Sequence, residues 1–156
     1  MIRHIVVLDA KRGIAKNGKY EWTPAADKRY FNQQTLSHGG VVLMGRKTFF
    51  EDVRRPLPGR ENFVLSHQDL AIPGVTVIHD LQAFLASKTD VWIIGGAELF
   101  AETLPLADEL YVTELEGDFD CDQFYPSYKD AYRLVSKSES RIEKGVRYSF
   151  CLYKSR

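Results

Sequence analysis

Long hydrophobic runs are missing from this chain of 156 residues. The apolar stretch near the N-terminus, within "MIRHIVVLDAKRG", is too short for the core of a signal peptide or for a membrane span. An excess of one charge is missing too, because Lys+Arg and Asp+Glu both number 21 and the formal net charge is zero. A neutral chain has no general attraction to nucleic acid or to a membrane surface. We therefore expect a cytoplasmic protein that binds neither.

Cysteine and metal-binding patterns are equally sparse. The two cysteines, Cys121 and Cys151, lack the spacing of a metal or redox motif. A disulfide between them is one interpretation, and two buried thiols in a reducing compartment is the favoured one. No serine–histidine pair has the spacing of a nucleophile and its base. No metal is expected either, since the four histidines form no metal-binding run; they are His4, His38, His67 and His79. The inventory favours cofactor chemistry with one protein acid over hydrolysis or metal catalysis.

The composition that is present suits one domain spanning residues 1–156, with 44% hydrophobic and 12% aromatic residues. Short runs that are apolar throughout predict strands buried on both faces, as in a parallel sheet. They are "HIVVLDA" near the start, Val41–Gly45, Asn62–Ser66, Val75–Ile78 and Val91–Ile94. Helical patterns lie between them: Pro24–Leu36, "DLQAFLAS" with Asp80 as N-cap, and "AELFAETL" directly after Gly95 and Gly96. This alternation predicts an α/β fold with right-handed crossovers.

The last third of the chain has a different pattern. "LYVTEL", "YRLVSKS" and "VRYSFCLY" read as strands, with a turn-like "EKG" between the last two. This predicts an antiparallel terminal hairpin, so that the sheet is mixed. Near the other end, the polar stretch "KRGIAKNGKYEW" follows the first strand. A long loop at that position is well placed to cover a ligand.

The stretch "EWTPAADKRYF" contains a carboxylate in an unexpected place. Thr23 and Pro24 predict a helix start, with the threonine as N-cap and the proline at the first helical position. Asp27 then shares a face with Tyr30 and Phe31, three and four positions on. Two interpretations remain open from these residues. Asp27 either complements the positive end of the helix dipole or is a functional acid whose pKa is shifted by an apolar surrounding.

Two strand-to-helix turns have the features of phosphate sites. Met44–Thr48, "MGRKT", combines a glycine, two cations and a hydroxyl at a helix start, and Ile93–Glu98, "IIGGAE", repeats the glycine turn. Each alone is weak, because glycine is common at such turns. Neither is a P-loop, and the absence of G-x-G-x-x-G disfavours an ordinary Rossmann domain. Together they predict a ligand with several phosphates lying across the strand ends.

Arg60 lies in the proline-rich turn "RRPLPGREN". Such a rigid turn can present the guanidinium as a fork for a carboxylate, and the alternative is a solvated arginine.

Taken together and in order, these motifs resemble the dihydrofolate reductase family. The marks are "IVVLDAKRGIAKNG", then Trp22, Asp27 and Phe31, then "MGRKTF", "RPLPGR", "VLS", "IIGGAELF", "LYVTEL" and "CDQFYP", over essentially the whole chain. The resemblance implies an eight-stranded mixed, mostly parallel sheet flanked by helices. It also implies a monomer that reduces 7,8-dihydrofolate with NADPH.

The resemblance also implies roles for individual residues. Asp27 would hold the amidine edge of the pterin and raise the proton affinity of the ring nitrogen, Thr113 would hydrogen-bond this acid, and Trp22 would order a water nearby. Arg60 would pair with the glutamate tail, and the substrate would touch Ile5, Lys28, Phe31, Val53, Arg60, Ile94 and Phe100. The NADPH site would comprise Val7, Ile14, Gly45, Arg46, Lys47, Thr48, Ser66, His67, His79, Gly95, Gly96, Ala97, Glu98 and Leu99.

Some positions depart from the family pattern. Lys28 stands where an apolar residue is usual, Phe100 where tyrosine is usual, and Glu98 where a basic residue often is. Two alternatives follow: a reductase of another pterin or of a ribityl-pyrimidine, and a folate- or nucleotide-binding module with little turnover. Arg60 and Trp22 argue against the pyrimidine, and the intact set of Asp27, Trp22 and Thr113 argues against the binding module.

Overall fold

The computed structural model describes residues 1–17 and 23–156. The described strands are β1 (Ile2–Leu8), β2 (Gly13–Ala15), β3 (Val41–Gly45), β4 (Glu61–Leu65), β5 (Val75–Ile78), β6 (Val91–Ile93), β7 (Glu109–Leu115), β8 (Gln123–Phe124), β9 (Tyr132–Lys137), β10 (Arg141–Glu143) and β11 (Val146–Ser155). The α-helices are α1 (Ala25–Ser37), α2 (Leu81–Ser87) and α3 (Ala97–Thr103), with a π-helix at Thr48–Val53 and a 3-10 turn at Leu104–Leu106. No helix in these two ranges is long and apolar enough to cross a bilayer.

The main sheet has the order β10-β11-β7-β1-β6-β3-β4-β5 over the described chain. All pairs from β7 to β5 are parallel, whereas β11 runs antiparallel to β7. β9 and β10 pair with successive stretches of β11 and so fill one edge position together. The sheet is therefore eight positions wide, mixed and mostly parallel, with an antiparallel C-terminal hairpin, as predicted. The first arm of that hairpin is β10, a strand that was not predicted, whereas the predicted arm "YRLVSKS" forms β9 and pairs with β11 further along.

The apolar strands are covered on both faces, which is why their sequences do not alternate. In β3, Val42 and Met44 pack in one cluster with Ile5 and Trp92. Leu43, between them, packs in the opposite cluster with Leu8, Ile93 and other buried residues. Because successive side chains of a strand point to opposite faces, each cluster lies on its own side of the sheet.

The two predicted helix caps had different outcomes. Asp80 caps α2 as predicted, because its side chain accepts the Ala83 N–H at 3.0 Å. The prediction that Thr23 caps α1 is wrong. Pro24 keeps an extended ψ of 144°, so the helix begins one residue later, at Ala25. The Ala25 N–H donates instead to the carboxylate of Glu143, in β10.

The first part of the loop after β1 is held in place by a buried carboxylate. Asp9 accepts the N–H groups of Lys11, Gly13 and Phe119 at 2.9, 2.7 and 3.1 Å. Burial raises the pKa of Asp9, but these hydrogen bonds outweigh it, so that the pKa is lowered. The sequence did not predict the short strands β2 and β8, which pair here.

Gly13 is required at this junction because an added Cβ would lie 2.5 Å from Cys121 Sγ. Both cysteines are free, with Cys151 buried and Cys121 half-buried, so the disulfide alternative is wrong. The rest of the predicted loop, residues 18–22 with Glu21 and Trp22, lies outside the described residues.

Candidate active site

A cleft of about 350 Å³ opens beside the carboxyl-terminal parts of β1 and β6. Its walls are mostly apolar, and they come from β1, β2, α1, the π-helix, the turn after β6 and α3. The lining residues are Ile5, Val6, Val7, Ile14, Thr23, Asp27, Lys28, Phe31, Asp52, Ile94 and Phe100. The structure thus brings together eight of the residues that the resemblance assigned to substrate or cofactor.

Asp27 is the half-buried carboxylate of this cleft. The hydroxyl of Thr113, buried on β7, donates to Asp27 Oδ1 at 2.6 Å. Burial raises the pKa of Asp27 to about 6, and the Thr113 hydrogen bond opposes this with a smaller effect. Asp27 does lie in the first turn of α1, but it is also part of the cleft wall. Its surroundings suit an acid that exchanges protons near neutral pH.

Phe100, a buried residue of the cleft lining, packs on a buried histidine. Its ring lies 5.0 Å from that of His4. The Thr103 hydroxyl donates to the Leu99 carbonyl at 2.7 Å, so it accepts from His4 Nε2 at 2.8 Å. His4 Nδ1 then accepts the Tyr125 hydroxyl at 2.7 Å. Because burial lowers the pKa of His4 to about 3, the imidazole is neutral. A lone histidine in an apolar strand gave no sequence signal for this chain of hydrogen bonds.

The two predicted phosphate turns meet at one point. The Gly45 N–H donates to the Gly95 carbonyl at 2.9 Å, and the Gly95–Gly96 peptide bond is cis. An added Cβ on Gly95 or Gly96 would lie 3.4 or 3.2 Å from Thr48 Oγ1. Gly45, Thr48, Gly95 and Gly96, which we call the glycine cradle, therefore place glycine backbone directly beside a hydroxyl. This arrangement fits a phosphate-bearing ligand that must approach the chain closely.

Charged side chains lie near the cradle in sequence. Arg46 and Lys47 follow Gly45 and are exposed, and Glu98 is exposed in the first turn of α3. At the ends of β4 and β5, His79 donates to the Ser66 carbonyl at 2.7 Å, while its Nε2 lies 3.1 Å from Asp69. The remaining predicted cofactor residues differ in exposure: His67 is exposed, Ala97 half-buried, and the Leu99 side chain buried in the core.

Arg60 is held against α1 and is not among the residues that line the cleft. Its Nη1 donates to Asn32 Oδ1 and Thr35 Oγ1, both at 2.9 Å, and its Nε donates to the Pro58 carbonyl at 3.0 Å. The guanidinium lies 5.9 Å from the ring of the cleft residue Phe31. Among the described residues no hydrogen bond occupies Nη2, which is left for a ligand.

Sequence reasoning missed two polar residues of the cleft. Asp52 lines it, whereas its neighbour Val53, which was predicted to do so, packs against the cluster that contains Ile5. Burial, and then the charge of Glu51, raise the pKa of Asp52, although Arg54 opposes them. Thr23 is the second missed residue. Asp52 lies in the π-helix, and the spacing that brings it to the cleft has no recognisable sequence pattern.

The fold and the cleft define an α/β protein with a mostly apolar cleft, which is lined by the carboxylates of Asp27 and Asp52 and lies beside the glycine cradle. The model of the family described as dihydrofolate reductase matches residues 1–155. The chain belongs to the dihydrofolate reductase family.

Individual relatives agree with this assignment. The chain is 35% identical over 163 aligned positions to the dihydrofolate reductase of Bacillus subtilis strain 168, covering 100% of this chain and 95% of that one. It is 42% identical over 132 positions to the type 3 dihydrofolate reductase of Salmonella typhimurium, covering 82% and 80%. A solved dihydrofolate reductase from Enterococcus faecalis, complexed with NADP(H) and RAB-propyl, superposes with a TM-score of 0.88 at 28% identity, covering 99% of this chain and 96% of that one.

Proposed function

We propose that this chain catalyses the reduction of 7,8-dihydrofolate to 5,6,7,8-tetrahydrofolate, with NADPH as the reductant. The observation that carries the proposal is the pair of Asp27 and Thr113, joined at 2.6 Å within an apolar cleft beside the glycine cradle. A hydride transfer requires a shaped, water-excluding cleft, and the accompanying protonation requires one tuned acid. Family membership over residues 1–155 supports the same reaction.

The chain's own contribution to the reaction centres on Asp27. Because Thr113 donates to Oδ1, Oδ2 is the oxygen left to face the substrate. When ionised, Oδ2 accepts hydrogen bonds from the amidine edge of the pterin, which raises the proton affinity of the ring nitrogen. Ile5, Phe31 and Ile94 hold the ring between apolar surfaces. NADPH supplies the hydride when it is bound.

The glycine cradle and the cations next to it would hold the cofactor. Bare backbone at Gly45, Gly95 and Gly96 admits the phosphates, and Arg46 and Lys47 provide charge for the 2′-phosphate. Glu98 opposes them. Two fixed cations against one anion leave a net attraction, so NADPH is preferred over NADH by a margin that Glu98 reduces.

The proposal extends to the state of the protein in the cell. We infer a single domain over residues 1–156 that acts as a monomer in the cytoplasm. The two free thiols, Cys121 and Cys151, support a reducing compartment.

The direct test is to mix the purified chain with NADPH and dihydrofolate and to follow the loss of NADPH absorbance. Consumption that depends on both compounds, with tetrahydrofolate as product, is expected. A dihydropterin without the tail and a ribityl-pyrimidine serve as comparison substrates. Consumption with either of these but not with dihydrofolate contradicts the proposal, and binding of dihydrofolate without turnover identifies a binding module instead.

A further inference from the structure

His4 is a fully buried histidine whose two ring nitrogens are both hydrogen-bonded within the core. It lies in β1, beside Ile93 of β6 and Leu110 of β7. Its Nε2 donates to the Thr103 hydroxyl and its Nδ1 accepts from the Tyr125 hydroxyl, at 2.8 and 2.7 Å. A fully paired polar network in a core specifies one arrangement of the elements that it joins, because a displaced group would lose its partner. An aliphatic side chain would fill the same space without that requirement.

The network joins β1 to two other parts of the chain. Thr103 belongs to α3. Tyr125 follows β8, and its main chain is paired with Arg12: its N–H donates to the Arg12 carbonyl at 2.8 Å, and Arg12 Nη1 donates to its carbonyl at 2.7 Å. α3 has seven residues, and so short a helix depends on tertiary contacts for its position. The hydrogen bond from His4 to Thr103 is one of these contacts.

Phe100 connects the network to the glycine cradle. Its ring packs against the rings of His4 and Tyr125, with the centroids 5.0 and 5.2 Å away. The same ring lies beside the cradle, because an added Cβ on Gly95 would be 3.8 Å from Phe100 Cε2. The Phe100 N–H also donates to the Gly96 carbonyl at 2.9 Å. Since Phe100 is 1% exposed, it acts on a ligand through the cradle backbone that it supports.

We propose that His4 is a positioning residue for the dinucleotide cofactor. It holds Phe100 and α3 in place and thereby fixes the backbone of Gly95 and Gly96, beside which the phosphates would bind. The inference rests on the function proposed above, and it adds a residue that lies in the core rather than in the cleft lining. Because burial lowers the pKa of His4 to about 3, the donor at Nε2 and the acceptor at Nδ1 both persist at neutral pH.

The test separates positioning from stability by removing the hydrogen bonds in two ways. His4→Leu keeps a similar volume but leaves the Tyr125 hydroxyl without its acceptor, which should destabilise the fold. His4→Leu combined with Tyr125→Phe also removes that hydroxyl, so much of the lost stability should return. The matched control is Phe84→Leu. Phe84 is buried against Phe63 in the same core cluster and belongs neither to the cradle nor to the cleft lining.

Urea unfolding of each ligand-free protein is measured first, followed by dissociation constants for NADPH, NADH and dihydrofolate. We expect both His4 variants to bind NADPH and NADH more weakly than wild type by the same factor, roughly three- to tenfold, as for one lost hydrogen bond. The factor is the same because the cradle would hold the part that the two cofactors share. Dihydrofolate affinity should change little, and Phe84→Leu should lower stability without weakening either cofactor. If His4→Leu alone does not fold, the double variant provides the comparison.

Other outcomes overturn the inference. Cofactor affinities equal to those of wild type in both His4 variants would mean that His4 does not position the cradle. Affinities that recover together with stability in the double variant, or that fall equally in Phe84→Leu, would show an effect of stability alone. An equal loss for dihydrofolate would show a change that is not local to the cradle, and failure of both His4 variants to fold would show a purely structural histidine. Failure of wild type to bind NADPH is a separate result, because it rejects the proposed function itself.

Discussion

Asp27 lies in the cleft at a cost to the stability of the free protein. Its pKa is about 6 in the folded state, against an ordinary value of 3.8, so the folded protein binds more protons between these two values. The free energy of unfolding therefore falls as the pH rises from about 4 to 6, and it stays lower above that range. A shift of this size corresponds to at most about 3 kcal/mol, and water in the open cleft reduces it.

Asp27→Asn should consequently stabilise the ligand-free protein by about 1–2 kcal/mol at pH 8 and much less at pH 4. Urea unfolding of both proteins at the two pH values measures this difference. Asp130→Asn, a change at an exposed aspartate, is the matched control and should show no such pH-dependent gain. A variant that is less stable than wild type at pH 8 would mean that the Asp27 carboxylate is stabilised by its surroundings.

The same substitution should remove most of the activity. Loss of a positioned acid lowers the rate of dihydrofolate reduction by roughly 10²–10⁴-fold. In wild type the hydride-transfer rate should decline at high pH, because the ring nitrogen whose proton affinity Asp27 raises then loses its proton, and in Asp27→Asn this decline should begin at a lower pH. Stopped-flow measurement from pH 5 to 9 tests both points, with the NADPH dissociation constant as a check that the fold is retained. Turnover near that of wild type would leave Asp27 as a helix-start residue only.

Substitution of Arg60 tests whether its guanidinium binds the glutamate tail of the substrate. With Nη1 and Nε held by Asn32, Thr35 and Pro58, the guanidinium is fixed before any ligand arrives. Arg60→Ala should weaken dihydrofolate by about 1.5–3 kcal/mol and a tail-less dihydropterin much less. Arg55→Ala, at an exposed arginine of the same turn, should affect neither ligand. Equal losses for both ligands in Arg60→Ala would show that Arg60 does not bind the tail.

How far the site could be predicted differs from residue to residue. Asp27, Gly45 and Gly95 were found because each lies in a short motif whose geometry is local. Thr23 and Asp52 were missed because their place in the cleft lining depends on the extended Pro24 and on a π-helix. His4 was missed because its partners lie about a hundred positions away along the chain.

At the scale of elements, the strands and helices were predicted with small errors at their ends. Continuous apolar runs identified β3, β4 and β6, which are buried on both faces, and also β5, which is only partly buried at the edge of the sheet. β2 and β8 could not be recognised, because two or three residues carry no periodicity and their pairing depends on Asp9. The start of α1 was misjudged because its first N–H is satisfied from the distant hairpin rather than by a neighbouring side chain.

The hydrogen bond from the Ala25 N–H to Glu143 links the terminal hairpin to α1, the helix that carries Asp27. Glu143→Gln should lower the free energy of unfolding by about 1 kcal/mol, because the first N–H of α1 loses a charged acceptor. Glu139→Gln is the control, since Glu139 is exposed just before β10. Chemical denaturation of both variants provides the measurement. Identical stabilities for the two would show that the hairpin does not hold the helix start.

At the scale of the whole molecule, the loops of residues 9–17 and 117–124 meet beside the cleft. Gly13 is the contact point, because an added Cβ would overlap Cys121 Sγ and lie 2.8 Å from Asp9 Oδ1. Gly13→Ala should therefore destabilise the protein by about 1–3 kcal/mol. Adding Cys121→Gly in the same chain should restore part of this loss, which a double-mutant cycle of unfolding free energies measures. If the two substitutions change the unfolding free energy additively, Gly13 and Cys121 are not in contact.

Because Cys121 lies at the contact between these two loops, the labelling rate of its thiol can report how often the loops separate. Its thiol is half-buried between the two loops, and burial together with the neighbouring carboxylate of Asp9 raises its pKa to about 12. A thiol-modifying reagent should react with it only when the loops part, because separation both exposes the sulfur and removes Asp9. In a Cys151→Ala chain, Cys121 would be the only thiol. Its labelling rate, with and without ligands, would then report how often this side of the cleft opens.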